Sequence, residues 1–113
     1  MRAMFAATKD WDAQSAEFLA GPSTTAQVRA SGTLGGKPLQ VVSATNHGLD
    51  AEGEKLWQDW QLKLTSLSTN SAHQIAVGAS HASLWTEPKY AAASVEAILS
   101  VVQAARSGEP LKP

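Results

Sequence analysis

The sequence predicts a small α/β protein organised around a strand–helix–strand unit. Two short, mostly apolar runs lie at residues 39–44 and 73–77, as expected of strands that are buried in a sheet. Between these runs, Leu56, Trp60 and Leu64 recur every four residues, which is the spacing of an amphipathic helix. Two strands joined through one helix by short links form a parallel βαβ unit. We therefore expect the α/β fold class.

The composition is that of one soluble globular domain. The chain has 113 residues, of which 43% are hydrophobic and 17% charged, enough for a single core. The formal net charge is −1 and no basic cluster occurs, so we expect no nucleic-acid partner and no membrane partner. The apolar start of the chain is too short for a signal peptide, and we expect a cytoplasmic location. Without cysteine, disulfides and thiolate sites are excluded.

Residues 1–37 are predicted to form a helical lead-in to the α/β unit. We expect a first helix at about 5–20, because it is rich in alanine and carries a loose apolar face. Gly21-Pro22 is predicted to end it, and a second helix is expected at about 23–30. Residues 38–113 then form the βαβα part, within a single domain overall.

The second half of the chain is predicted to contain a helix at about 51–66 and a closing helix at about 88–106. Pro88 suits the first turn of the closing helix. A sheet of only two strands leaves two long edges without a partner. We therefore expect another chain or segment to complete the sheet.

His81 is the leading candidate for chemistry. It follows the strand at 73–77 in the turn Gly78-Ala79-Ser80-His81, at the carboxyl end of a parallel sheet, where ligand-binding and catalytic residues gather in open α/β folds. The alternative is an ordinary turn histidine without a chemical role.

Asp50 is the leading candidate for an acid that orients His81. It lies six residues beyond the first strand, on the same edge of the sheet if the strands are parallel. The alternative is an N-cap for the helix that begins at Ala51. Glu52 and Glu54 are weaker candidates, since acidic residues in a first helical turn interact favourably with the helix dipole.

Other kinds of site find little support in the sequence. His47, His73 and His81 have no metal-ligand spacing, so we expect neither a metal nor a cofactor. Ser80 stands beside His81 in the chain but lacks a strand-to-helix elbow, and no Gly-x-Ser-x-Gly occurs. The chain therefore has no nucleophile motif of its own.

Residues from about Pro38 to Leu111 resemble the C-terminal end of an α/β-hydrolase of the esterase and lipase type. The histidine turn at residues 78–81 and the proline-started helix after it resemble that family most sharply. The resemblance implies that His81 is the general base of a serine, acid and histidine triad, with Asp50 as the best match for the acid. Ser80 stands where the family usually has glycine.

Two functional hypotheses follow from the resemblance. In the first, the chain is a C-terminal fragment of a hydrolase of small-molecule esters, and a missing N-terminal half supplies the nucleophile and the oxyanion donors. In the second, it is a complete, non-catalytic α/β module for binding or self-assembly, derived from a hydrolase end. The expected partner is accordingly the missing half or a second copy in a homo-oligomer.

Overall fold

The computed structural model describes residues 8–112, with side chains from residue 10 to residue 112. The chain forms two compact units, Met1–Gly32 and Thr33–Pro113, which are described separately. The predicted start of the first helix at residue 5 lies outside the described residues.

The first unit contains one continuous helix, α1 (Thr8–Ala30), which passes through Pro22. The prediction that Gly21-Pro22 separates two helices was therefore wrong. A proline removes one backbone donor, so the hydrogen-bond ladder is interrupted at one position and closes again on either side. Next to the proline, the Ser23 hydroxyl donates to the carbonyl oxygen of Ala20 at 2.9 Å.

The second unit is mixed α/β, with two parallel strands in one open sheet and flanking helices, as the sequence predicts. A one-turn helix after the histidine turn is an addition that the sequence analysis did not predict. In chain order the elements are β1 (Leu39–Asn46), α2 (Ala51–Leu64), a 3-10 turn (Thr65–Leu67), β2 (Ser71–Ser80), α3 (Ser83–Thr86) and α4 (Pro88–Ser107).

The two strands pair in parallel, with Leu39 opposite Ser71 and Ala44 opposite Ala76. Beyond this point the register shifts, so that Asn46 lies opposite Ser80 and β2 carries two extra residues. β2 is longer than the predicted run because the irregular segment after Val77 rejoins the pairing at its end. The irregularity brings the ends of both strands to the same edge of the sheet.

The core of this unit is small and consists mostly of alanine. Ala44, Ala76, Ala79 and Leu84 form its buried centre, with Val42 and Tyr90 packed against them. No large side chain of the described residues is fully buried. Because small side chains remove little apolar surface from water, the hydrophobic stabilisation of this unit is modest for its length.

Large apolar side chains of both long helices of this unit lie at the surface. In α2, the predicted stripe is present but uncovered, since Leu56 and Trp60 are about half exposed. In α4, Ala97 and Ala104 are buried, whereas Ile98 is 63% exposed. The exposed residues of α4 share one side of the helix at spacings of three and four: Val95, Ile98, Leu99 and Val102. None of the described helices is long and apolar enough to cross a membrane.

Candidate functional site

His81 lies in the turn that directly follows β2, at the carboxyl end of the parallel pair, as the sequence predicts. Its side chain is exposed to solvent. In the described part of the chain its imidazole has no hydrogen-bond partner. The ring is therefore accessible to an external group.

Two serines hold the turn around His81. The Ser83 hydroxyl accepts from the backbone N–H of Ser80 at 2.8 Å, and the Ser80 hydroxyl accepts from the backbone N–H of Ser83 at 3.1 Å. Ser83 is 3% exposed, so both bonds are largely protected from water. This reciprocal pair closes a four-residue turn and sets the direction in which the chain leaves the sheet. Ser80 acts here as a turn residue.

Asp50 is the N-cap of α2. Its carboxylate oxygen accepts from the backbone N–H of Gly53 at 2.8 Å, and its backbone is extended, as an N-cap requires. Within residues 10–112, no hydrogen bond or ion pair joins Asp50 to His81. The cap function that the sequence allowed is present, and the acid function of Asp50 stays a prediction.

The two functions of Asp50 are separated by a pair of substitutions. Asp50→Ala is expected to lower the free energy of unfolding by about 1 kcal/mol, because the N–H of Gly53 loses its acceptor. Asp50→Asn is expected to retain almost all of the stability, since asparagine caps helices about as well as aspartate. Urea denaturation of both variants measures the difference. Equal losses in the two variants would contradict a capping function.

A histidine–carboxylate pair that the sequence analysis did not predict lies at the same edge of the sheet. His47 follows β1 directly, and its Nδ1 lies 2.8 Å from Oε2 of Glu54 in the first turn of α2. The backbone N–H of His47 donates to Oε1 of the same carboxylate at 2.6 Å. The ring also packs on Trp57, with centroids 4.5 Å apart. His47 is therefore fixed in position by a charge, a backbone contact and an aromatic face.

A sequence signal for this pair exists, although it is weak. His47 follows a predicted strand at the carboxyl edge, just as His81 follows the other. The position of Glu54 in the first turn of α2 is also explained by its favourable interaction with the helix dipole. The contact itself depends on the conformation of the loop between β1 and α2, which places residues 47 and 54 together, and periodicity does not report loop conformation.

The hydrogen bonds from the side chain and backbone of His47 lower the pKa of Glu54 below its ordinary value of 4.5. A carboxylate with a lowered folded-state pKa stabilises the fold above its unfolded-state pKa, and this contribution disappears as the pH falls through the folded-state pKa. We therefore expect the contribution of Glu54 to the unfolding free energy, measured against Glu54→Gln, to be present at pH 5 and to shrink as the pH falls below 4.5. Chemical denaturation across this range measures it.

The third histidine lies within the sheet. His73 is in β2 opposite Val41, and its Nε2 is hydrogen-bonded to the Ser43 hydroxyl on β1. Ser43 is 2% exposed and lies within a regular strand, so it has neither the exposure nor the elbow of a nucleophile. The bond satisfies a buried hydroxyl between two strands.

No three histidine, aspartate or glutamate side chains of the described residues come together as a metal-binding group. Comparison with known protein families, curated protein sequences and solved structures finds no match to this chain. The candidate site consists of two histidines at one sheet edge, and one of them is paired with a carboxylate.

Proposed function

We propose that this chain is the C-terminal part of an α/β-hydrolase-type enzyme for the hydrolysis of small-molecule esters. In this proposal His81 is the general base, and residues outside this chain supply the serine nucleophile and the oxyanion donors. The base takes the proton of the serine hydroxyl as the oxygen attacks the ester carbonyl, and then returns it to the leaving alcohol.

The position of His81 carries the proposal. An exposed imidazole without a hydrogen-bond partner in residues 10–112 follows a parallel strand directly, at the edge where such folds build their active sites. The two-serine turn limits the motion of this histidine relative to the sheet. A general base needs this combination of accessibility and fixed position.

The outer edge of β1 supports the proposal that a segment outside this chain adds further strands to the sheet. The N–H of Leu39 donates to the carbonyl oxygen of Asn70, so the odd-numbered residues of β1 direct their backbone groups toward β2. The even-numbered residues then direct theirs to the open edge. Both α2 and α4 pack against β1, and Ala44 is only 2% exposed. A strand buried to this extent but open on one side is typical of the interior of a larger sheet.

One backbone acceptor on the open edge of β1 already has a hydrogen-bond donor. The side-chain amide of Gln58 in α2 donates to the carbonyl oxygen of Ala44. The backbone groups of Gln40 and Val42 remain available to a further strand, which would pair along the first half of β1. A segment that completes the sheet must therefore leave room for Gln58 at the carboxyl end of β1.

The test of the proposal is to express the polypeptide encoded by the reading frame that continues upstream of Met1. We expect a serine in this extended chain to react with a fluorophosphonate probe, as seen by intact-mass analysis, whereas the 113-residue chain by itself stays unlabelled. A stop codon just upstream of Met1, or an extended chain that folds and is not labelled, would overturn the proposal.

The exposed side of α4 favours a second candidate, a non-catalytic module that assembles with a second copy of itself. Val95, Ile98 and Leu99 are each more than half exposed, and contiguous apolar surface of this kind is typical of an interface. Light scattering after size-exclusion chromatography would then report a homo-oligomer that Ile98→Glu dissociates, while Ile98→Val, which keeps an apolar side chain at this position, does not. A monomeric native chain would exclude this candidate.

A further inference from the structure

We propose that His47, oriented by Glu54, is a second proton-accepting site at the carboxyl edge of the sheet, and that its Nε2 binds and deprotonates a water molecule or the hydroxyl group of a small-molecule ligand. This inference does not depend on the hydrolase function proposed for His81. It is carried by the contacts of the imidazole, its access to solvent and its place in the sheet.

The contacts of His47 determine which ring nitrogen carries the proton. Nδ1 faces a carboxylate oxygen of Glu54 at 2.8 Å, and a carboxylate only accepts hydrogen bonds. In the neutral imidazole the proton is therefore on Nδ1, and Nε2 presents a free lone pair. This is the tautomer that a general base requires.

Glu54 is arranged to remain ionised while it holds the ring. Its Oε1 accepts the backbone N–H of His47 at 2.6 Å, in addition to the side-chain contact through Oε2. A third, longer contact comes from the backbone N–H of Leu49, which donates to Oε1 at 3.4 Å. The negative charge of the carboxylate compensates the positive charge that the imidazole acquires when Nε2 takes a proton.

Nε2 of His47 is not sealed within the protein. The imidazole is packed on Trp57, and 11% of the His47 side chain remains exposed. Among the described residues, Oε1 of Gln58 is the one buried side-chain nitrogen or oxygen without a hydrogen-bond partner. Nε2 of His47 has no partner there either but is not buried in this sense, so part of its surface faces solvent and a water molecule can reach it.

The register of the sheet brings this site next to His81. Asn46 and Ser80 are paired residues of β1 and β2, and each is followed directly by a histidine. Adjacent strands lie about 4.8 Å apart, so the two histidines leave the sheet from neighbouring points. The backbones of the two histidines are therefore neighbours at this edge, and among the described residues only His47 has a carboxylate partner.

The proposed step transfers one proton. A water molecule or ligand hydroxyl donates its proton to Nε2 while its oxygen forms a bond to the carbonyl carbon of an ester, and the imidazolium formed is held by the Glu54 carboxylate. The imidazolium then returns the proton to the alcohol oxygen as the bond between that oxygen and the carbonyl carbon breaks, which restores the neutral imidazole with its proton on Nδ1. No oxidant, reductant or metal takes part.

The first arm of the test is the tautomer. Long-range proton–nitrogen correlation spectra of the ¹⁵N-histidine-labelled 113-residue chain are expected to show a protonated Nδ1 and an unprotonated Nε2 for His47 at neutral pH. Assignment uses the spectrum of His47→Gln. A His47 ring with its proton on Nε2 would overturn the proposal, because no lone pair would then be directed away from Glu54.

The second arm is the rate of hydrolysis of p-nitrophenyl acetate by the folded 113-residue chain. We expect the chain with His47→Gln to hydrolyse the ester more slowly than the native chain, and the difference between these two rates is the contribution of His47. Glu54→Gln is expected to lower this contribution by about tenfold, which is less than the whole contribution of a positioned base. Glu52→Gln, which removes the same charge from an exposed residue of the same helical turn, is the matched control and is expected to keep the native rate. Thermal unfolding checks that each variant is folded.

Comparison of the hydrolysis rates in D₂O and H₂O distinguishes proton transfer to His47 from a purely structural function of the His47–Glu54 pair. Proton transfer to Nε2 makes the His47-dependent rate slower in D₂O than in H₂O, and a contact that only joins the loop to α2 has no such effect. An unchanged rate in folded His47→Gln, or a rate equal in both solvents, would overturn the proposal. Failure here leaves the labelling test of His81 unaffected, since that test uses the upstream-extended chain and a different probe.

Discussion

His81→Ala in the upstream-extended chain is expected to slow fluorophosphonate labelling of the serine by about four orders of magnitude or more, as removal of a triad histidine does in serine hydrolases. The reason is that a serine hydroxyl is a weak nucleophile until a base accepts its proton. His81 is accessible and is held by the turn between Ser80 and Ser83, so its removal takes away the proposed base and leaves the fold in place. Intact-mass analysis at a series of times measures the rate.

The matched control is the substitution of His73, the histidine of β2, the strand that leads into the His81 turn. His73→Asn keeps a side chain that can hydrogen-bond to Ser43, and the labelling rate should stay near that of the native extended chain. Equal labelling rates in His81→Ala and the native sequence would mean that His81 is not the base. Equal and low rates in both variants, with loss of the circular dichroism signal, would instead report unfolding.

Gly78→Ala is expected to lower the free energy of unfolding of the 113-residue chain by about 2–5 kcal/mol. Gly78 has a φ of +85° in the irregular part of β2, a conformation that costs a side-chain-bearing residue about 1–2 kcal/mol. An added Cβ would also lie 2.9 Å from the hydroxyl oxygen of Tyr90 in α4, and crowding of this kind costs about 1–3 kcal/mol. Urea denaturation monitored by tryptophan fluorescence measures the loss.

Gly48→Ala separates the two contributions. Gly48 has a similar φ of +72°, but a Cβ there would have open space around it, so this variant should show the backbone cost alone, about 1–2 kcal/mol. In the double variant Gly78→Ala, Tyr90→Phe, removal of the hydroxyl is expected to restore the crowding part of the loss. If Gly78→Ala is no more destabilising than Gly48→Ala, the close approach of Tyr90 does not constrain β2.

The elements of the α/β unit could be predicted from the sequence because each follows from local chemistry. The parallel strands were found from two apolar runs, α2 from a stripe at helical spacing, and the start of α4 from Pro88. The sequence also allows Asp50 to be the N-cap of α2, since capping depends on residues within one turn. The continuity of α1 through Pro22 does not follow from local sequence, because Gly21-Pro22 is a stop signal that the helical residues on both sides override.

The sequence by itself determined that His81 would stand in a turn at the carboxyl edge of a parallel sheet. Only the tertiary structure decided which histidine has a carboxylate partner. His47 and Glu54 are seven residues apart, and the path of the loop between β1 and α2 brings them within 2.8 Å. It also decided that α4 buries Ala97 and Ala104 and leaves its larger apolar residues at the surface. A helical stripe records that one side is apolar, but which side meets the sheet depends on partners that local sequence does not contain.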